Sequence, residues 1–81
     1  MDNLQTTIEL DTFNIAFGEF IKVARLKRGL TQDDVSKLLG VSQSYYNRFE
    51  KGGRSIDFDK AIRICTILRI DIRKFLDDYI Y

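Results

Sequence analysis

The chain has 81 residues, enough for a single small domain with a modest hydrophobic core. Hydrophobic residues make up 44% of it, which predicts a folded chain rather than a disordered one. One Cys and no His exclude an intramolecular disulfide, a Cys-based zinc site and a histidine general base.

The acidic residues are numerous but form no spaced constellation that could do chemistry in an apolar cleft. Asp33 and Asp34 suit the first turn of a helix, and Asp77 and Asp78 suit a solvated helix face. No apolar run approaches the roughly 20 residues that span a bilayer, and no basic segment followed by an apolar one indicates secretion. We therefore predict a cytoplasmic protein that is not an enzyme, with no metal, no cofactor and no membrane contact; no small-molecule ligand is evident.

The net charge of +1 is not that of a strongly basic nucleic-acid binder, but the charges are unevenly distributed. Residues 1–20 carry four acidic and no basic side chains, whereas residues 21–28 carry four basic and no acidic ones. One face of the domain can therefore be positive. This pattern predicts moderate, salt-sensitive binding to a polyanion.

Residues 1–10 show no helical period, so we predict a loose or extended tail there and a folded domain over 11–81. Asp11 or Thr12 is expected to cap a first helix that stops at Gly29. Its core stripe is expected to be Phe17, Ile21 and Ala24. A second apolar stripe needs a cover from the tail, the last helix or another subunit: Phe13, Phe20, Val23 and Leu26.

Residues 30–52 predict two short helices joined by a tight turn, with the end signals of both helices present. Thr31 can N-cap the first of them, and Gly40 suits the left-handed position that follows it. Ser42 can cap the second. The first helix places three apolar residues on one face: Val35, Leu38 and Leu39. The second has a narrow apolar stripe of two residues: Tyr46 and Phe49. Its other face carries five side chains with polar ends: Gln43, Ser44, Tyr45, Asn47 and Arg48.

The rest of the chain predicts two further helices. Gly52 and Gly53 open a loop, after which Asp57 caps a fourth helix and Asp71 a fifth. The fourth helix is expected to face the core with Phe58, Ala61, Ile62, Cys65 and Leu68, and to carry Ile64 and Ile67 beside that stripe. The fifth has an amphipathic pattern of Ile72, Phe75, Leu76, Tyr79 and Ile80. The fold is therefore predicted to be all-α, with five helices.

The stretch over residues 30–52 resembles the helix-turn-helix of the lambda repressor and Cro family, also called the XRE family. Counting from Gln32, the fourth residue is apolar, the ninth is Gly40, and the fifteenth and eighteenth are Tyr46 and Phe49. Two positions depart from the family pattern, Ser36 in place of Ala and Tyr46 in place of Ile or Val. The resemblance covers about residues 17–76. It implies a compact five-helix lambda-repressor-like DNA-binding domain whose helices two and three form the helix-turn-helix.

Side chains on the second helix of such a motif can reach base edges in the major groove. A Gln amide pairs with adenine and an Arg guanidinium with guanine, so this helix predicts four base-contacting residues: Gln43, Ser44, Asn47 and Arg48. Five residues are predicted to contact phosphate: Gln32, Ser42, Tyr45, Lys51 and Arg54. The resemblance implies that Gln32 also braces Gln43. The alternative for Tyr45 is packing on a neighbouring turn, and for the other side chains simple solvation.

The resemblance also implies a structural pair, because similar repressors join an Arg and a Glu at the places of Arg25 and Glu50. A homodimer is predicted from apolar surface that one small domain cannot cover, with the last helix as the first candidate for the seam and helix one as the second. The residues expected in that interface are Phe13, Phe20, Val23, Ile64, Ile67, Tyr79, Ile80 and Tyr81. In a competing arrangement, residues 1–10 fold back over helix one and leave a monomer.

These predictions lead to a sequence-specific transcriptional regulator of double-stranded DNA, a homodimeric repressor on an operator with two half-sites about one helical turn apart. Its recognition helix is predicted over residues 43–50. One alternative is the antitoxin and autoregulator of a toxin–antitoxin operon. Another is a protein-interaction module of the same fold, which the near-zero net charge leaves open. Binding to heparin or random duplex discriminates, because a DNA reader is released with a steep salt slope.

Overall fold

Five α-helices and no strand make up residues 2–80, the part of the chain that the computed structural model describes, with side chains described from residue 12 to residue 79. The helices are α1 (Asp2–Lys27), α2 (Gln32–Leu39), α3 (Gln43–Lys51), α4 (Phe58–Leu68) and α5 (Ile72–Ile80). The prediction of an all-α, five-helix fold is confirmed.

Local hydrogen bonds end the short helices where the sequence predicts. The Thr31 hydroxyl accepts from the Asp34 backbone N–H at 3.0 Å while the Asp34 carboxylate accepts from the Thr31 N–H at 2.8 Å, a reciprocal capping box. Gly40 then adopts φ 80°, the left-handed conformation that a residue without Cβ takes most readily. The side chains of Ser42 and Asp57 accept the corresponding N–H bonds of α3 and α4. The predicted caps at these four residues are confirmed.

The first helix is longer than predicted. Residues 2–10 are helical, so the expectation of a loose or extended tail there is wrong, as is the expected cap at Asp11 or Thr12. The segment contains neither Pro nor Gly, and a helix already nucleated on the body of a domain gains a hydrogen bond for each residue added. Since residues 2–27 are one helix, about 39 Å long at 1.5 Å per residue, the start of the chain does not fold back over α1.

The core lies where α1, α2, α3 and α4 meet, and α5 closes it along α1. The predicted core stripe of α1 is buried, as are Val35 and Leu39 of α2 and Tyr46 and Phe49 of α3. Leu38 is wrong as a core residue, because its side chain is 68% exposed. Cys65 is buried as predicted, and burial raises the pKa of its thiol to about 11.

The inward face of α4 is rotated relative to the prediction. Phe58 is 74% exposed and Ile62 37% exposed, whereas Ile64, expected at a dimer surface, is completely buried. The apolar residues of α4 fit more than one helical stripe, and packing against α1 and α2 selects one of them. The buried stripe is Ala61, Ile64, Cys65 and Leu68.

An aromatic cluster answers the question of what covers the second stripe of α1. Phe75 of α5 packs against Phe17 and Phe20 with ring centroids 5.2 and 5.1 Å apart, and Phe13 lies 5.4 Å from Tyr79. The last helix, one of the three covers considered, is therefore the one in place for Phe13 and Phe20. Val23, farther along the same stripe, stays 41% exposed.

Candidate DNA interface

The helix-turn-helix presents one polar face of α3. Tyr46 and Phe49 are buried under this helix, which leaves Gln43, Ser44 and Arg48 exposed on its outer side. Asn47 is half-buried between that side and α2. The four side chains predicted to contact bases therefore lie on one surface of one helix.

A buried ion pair attaches α3 to α1. The Arg25 guanidinium donates from Nε to Glu50 Oε2 at 2.7 Å and from Nη2 to Glu50 Oε1 at 3.0 Å. Its Nη1 donates to the Leu30 carbonyl oxygen at 2.8 Å, which also ties down the segment before α2. The two side chains are 9% and 2% exposed. The predicted bidentate pair of Arg25 and Glu50 is confirmed.

Hydrogen bonding keeps this pair ionised. Burial by itself would raise the pKa of Glu50, but hydrogen bonds from Arg25 and Gln32 outweigh it and hold the pKa below its ordinary value. The hydrogen bond to Glu50 likewise raises the pKa of Arg25. At neutral pH the end of α3 is therefore held by a charged, geometrically specific bond.

Gln32, the first residue of α2, braces α3 at a different place from the one expected. Its Nε2 donates to Asn47 Oδ1 at 2.9 Å and to Glu50 Oε1 at 3.1 Å. Gln43 is not among these partners, so the expectation that Gln32 braces Gln43 is wrong. A Gln at the start of α2 reaches the middle of α3, because the two helices pack across each other there. Asn47 is therefore oriented by Gln32, with its amide nitrogen left to other partners.

Tyr45 packs within the protein. Its ring is half-buried, lies edge-on to Phe49 with centroids 5.0 Å apart, and carries the Arg54 guanidinium 4.4 Å above its centroid. This stacking positions an otherwise exposed arginine beside α3 by a cation–π contact. It favours the packing interpretation of Tyr45, and it turns Arg54 into an oriented cation rather than a free one.

Two further predicted phosphate contacts lie at the ends of α3. Ser42 accepts the Tyr45 N–H at 3.1 Å, so its hydroxyl is occupied as a cap, and Lys51 is exposed in the last turn. Lys22 of α1 was not assigned from the sequence. It lines a groove of about 500 Å³ together with Gln32, Asn47 and Lys51. Its position three residues before Arg25, on the side of α1 that meets α3, was the available signal.

Two glycines let α1 and α3 touch backbone to backbone, which the sequence analysis missed. A Cβ on Gly18 would lie 2.5 Å from the Phe49 carbonyl oxygen and closer still to that of Glu50. A Cβ on Gly52 would lie 2.6 Å from the Cα of Ile15, and Gly52 has φ 73°. The available signal was a glycine in the middle of a predicted helix, which has a cost unless close packing requires it. The distance from α1 to α3 is thus set by absent side chains.

Both departures from the family pattern are accommodated inside the domain. Ser36 is 1% exposed and its hydroxyl donates to the Asp33 carbonyl oxygen at 2.9 Å. Tyr46 is completely buried beside the pair of Arg25 and Glu50, and burial raises the pKa of its hydroxyl. That hydroxyl makes no hydrogen bond of good geometry to the residues described.

The residues predicted for a dimer interface do not form one exposed surface. Ile64 belongs to the core, Ile67 is half-buried, and Phe13 and Phe20 lie partly under α5. Val23 and Tyr79 remain exposed, at 41% and 38%. The side chains of two further predicted residues, Ile80 and Tyr81, lie outside those described. No helix is long and apolar enough to cross a membrane within residues 2–80.

Comparison with known proteins agrees with this geometry. Residues 21–75 match the family model described as Helix-turn-helix. The chain is 32% identical over 56 residues to the uncharacterized HTH-type transcriptional regulator YqaE of Bacillus subtilis (strain 168), an alignment that covers 69% of this chain and 48% of the relative. The chain thus spans about half the length of that relative.

A solved structure resembles the whole arrangement of helices. The restriction-modification controller protein C.AhdI from Aeromonas hydrophila superposes with a TM-score of 0.73 at 26% sequence identity, covering 79% of this chain and 97% of that one. The matched region contains α2 and α3 with their caps and the residues that hold α3 in place. The chain therefore belongs to the XRE-type helix-turn-helix family, whose members are DNA-binding transcription regulators.

Proposed function

We propose that this protein is a homodimeric repressor that reads the DNA major groove with α3, on an operator with two half-sites. The observation that supports it most directly is the exposed polar face of α3, held rigid from behind. Gln43, Ser44 and Arg48 are exposed, while Glu50 is anchored by Arg25 and Gln32. A reading helix needs this combination, because base discrimination depends on side chains carried by a fixed backbone.

In this proposal Arg48 pairs with the O6 and N7 of a guanine, and Gln43 with an adenine. Asn47 contributes through its amide nitrogen, since its oxygen accepts from Gln32. The phosphate contacts come from Lys51, Arg54 and the Lys22 groove. Phosphate contacts set register and affinity but carry no direct sequence information, so the two groups of residues are separable by experiment.

The test compares variants on a DNA site selected from a random pool and on unselected duplex. Arg48→Ala should weaken binding to the selected site by about 1–3 kcal/mol and leave binding to unselected duplex nearly unchanged. Lys51→Ala should weaken both alike and reduce the salt slope by about one unit, because one fewer counterion is released. Fluorescence anisotropy across a salt series measures both effects.

Lys74→Ala, on the exposed outer face of α5, is the matched control for loss of a positive charge. It should change neither affinity nor slope. Equal losses on selected and unselected DNA for Arg48→Ala would remove Arg48 from the base contacts. Absence of any salt-dependent binding by the wild type would remove the DNA-reading proposal altogether.

A second candidate is a protein-interaction module, the antitoxin of a toxin–antitoxin operon being one case. One observation favours it: a shallow groove of about 240 Å³ between α2 and α4 is lined partly by the exposed Leu38 and Ile62. Phe58 at the start of α4 is more exposed still. The salt series distinguishes this candidate, because a module that binds only proteins should not be retained on heparin.

A further inference from the structure

A second groove, on α1, has no partner within the domain. It has a volume of about 810 Å³ and runs along the side of α1 that faces away from α3. Its floor and walls are mostly apolar: Ala16, Phe20, Val23, Ala24 and Ile70. Val23 is 41% exposed, and Leu26 beside the groove is 57% exposed.

Two opposite charges lie at equal distances from Val23 along this groove. Glu19 is four residues before it and Lys27 four residues after it, so both lie on the Val23 face of α1, about 6 Å to either side at 1.5 Å per residue. Neither makes an ion pair with any side chain between residues 12 and 79. The neighbouring Arg28 is already engaged, since its Nε donates to the Leu68 carbonyl oxygen at 2.6 Å.

This pattern is self-complementary under a two-fold axis. If a second copy of α1 lies antiparallel across the groove with the axis at Val23, residues at equal distances from Val23 face each other. Glu19 of each copy then faces Lys27 of the other. Phe20 of each copy meets Leu26 of the other, and the two Val23 side chains meet on the axis. Isologous contacts require this kind of symmetry, and a groove for an unrelated partner does not.

We propose that a second copy of this chain docks in the α1 groove, antiparallel, with the two-fold axis at Val23. The inference deepens the homodimer of the proposed function by assigning its seam to α1 rather than to the end of α5. It retains Phe20 and Val23 from the interface predicted by sequence and leaves out Ile64, which is buried in the core. The apolar floor supplies the burial and the two charge pairs set the register.

The test is a charge reversal, read as mass by analytical ultracentrifugation over a concentration series. Glu19→Lys places two like-charge contacts in the seam, as does Lys27→Glu, so each single variant should raise the dimer dissociation constant at least about tenfold. The variant that carries both reversals should dimerise as the wild type does. An equimolar mixture of the two single variants should form a heterodimer, because every facing pair is then again of opposite sign.

Lys74→Glu, an exposed reversal on α5, controls for the change in net charge and should leave the dimer intact. Circular dichroism of each variant establishes that the exposed substitutions leave the domain folded. The proposal is overturned if the wild type is monomeric throughout the series, if either single variant dimerises as tightly as the wild type, or if mixing the singles restores nothing. Binding of the wild type to a single half-site, measured separately, tests the proposed function independently of this seam.

Discussion

Glu50 is the side chain through which three helices meet. It belongs to α3, and it accepts hydrogen bonds from Arg25 of α1 and Gln32 of α2. The sequence predicted the contact with Arg25 but not that with Gln32. One carboxylate therefore fixes the end of the proposed recognition helix against both neighbours. A conservative change at this residue should affect DNA reading and stability together.

Tyr46 offers a test of packing at the residue scale. Its hydroxyl is buried and has no hydrogen-bond partner among the described residues, so Tyr46→Phe removes an unsatisfied polar group without changing the ring. We expect the free energy of unfolding to rise by about 1 kcal/mol, measured by urea denaturation with an unchanged m-value. Tyr45→Phe is the matched control and should have little effect, because the Tyr45 side chain is only half-buried. A loss of stability in Tyr46→Phe would mean that the hydroxyl is bonded after all.

At the scale of elements, the contact between α1 and α3 depends on Gly18. A Cβ there would collide with the carbonyl oxygens of Phe49 and Glu50, which are backbone atoms and cannot rotate away. Gly18→Ala should therefore destabilise the domain by ~1–3 kcal/mol, even though Ala is the better helix former. Thermal or urea unfolding measures this loss.

Gly53→Ala is the control for the same chemical change, because a Cβ on Gly53 would meet nothing within 4 Å. It should alter stability by no more than about 0.5 kcal/mol. A Gly18→Ala protein as stable as the wild type would show that α1 and α3 can separate without cost. Any loss of DNA affinity in Gly18→Ala at temperatures where it stays folded would then report the displaced orientation of α3.

At the scale of the whole molecule, the pair of Arg25 and Glu50 predicts how stability depends on pH. The folded pKa of Glu50 lies below its ordinary value of 4.5, so folding favours the ionised form. The unfolded chain therefore binds the proton more readily. The stabilisation is fully present above the ordinary carboxyl pKa and is lost as the pH falls through the lower folded value.

Glu50→Gln should cost ~3–5 kcal/mol at pH 7, because it leaves the buried Arg25 without its counter-charge. This difference from the wild type should shrink steadily as the pH is lowered through the acid range. Urea denaturation at a series of pH values measures it. Asp77→Asn, on an exposed face of α5, should give a curve parallel to that of the wild type. A difference that is independent of pH would contradict the ionised pair.

The sequence by itself determined the ends of the short helices and the polar face of α3. Thr31, Ser42 and Asp57 cap helices by bonds to backbone groups three residues away, and Gly40 ends one by its own conformation. Such interactions are local, so they can be read without knowing where the rest of the chain lies. The pairing of Arg25 with Glu50 is not local, and it was predicted only through resemblance to a family.

Tertiary structure decided what depends on how helices meet. The stripe of α4 that includes Ile64 is buried, although one that includes Ile62 fits the periodicity as well, because packing against α1 and α2 chooses between them. The partners of Gln32 and the need for Gly18 follow from the crossing of two helices, which no single segment encodes. Local backbone chemistry acts within about one turn and is therefore legible in sequence, whereas the orientation of a face depends on all the helices packed against it.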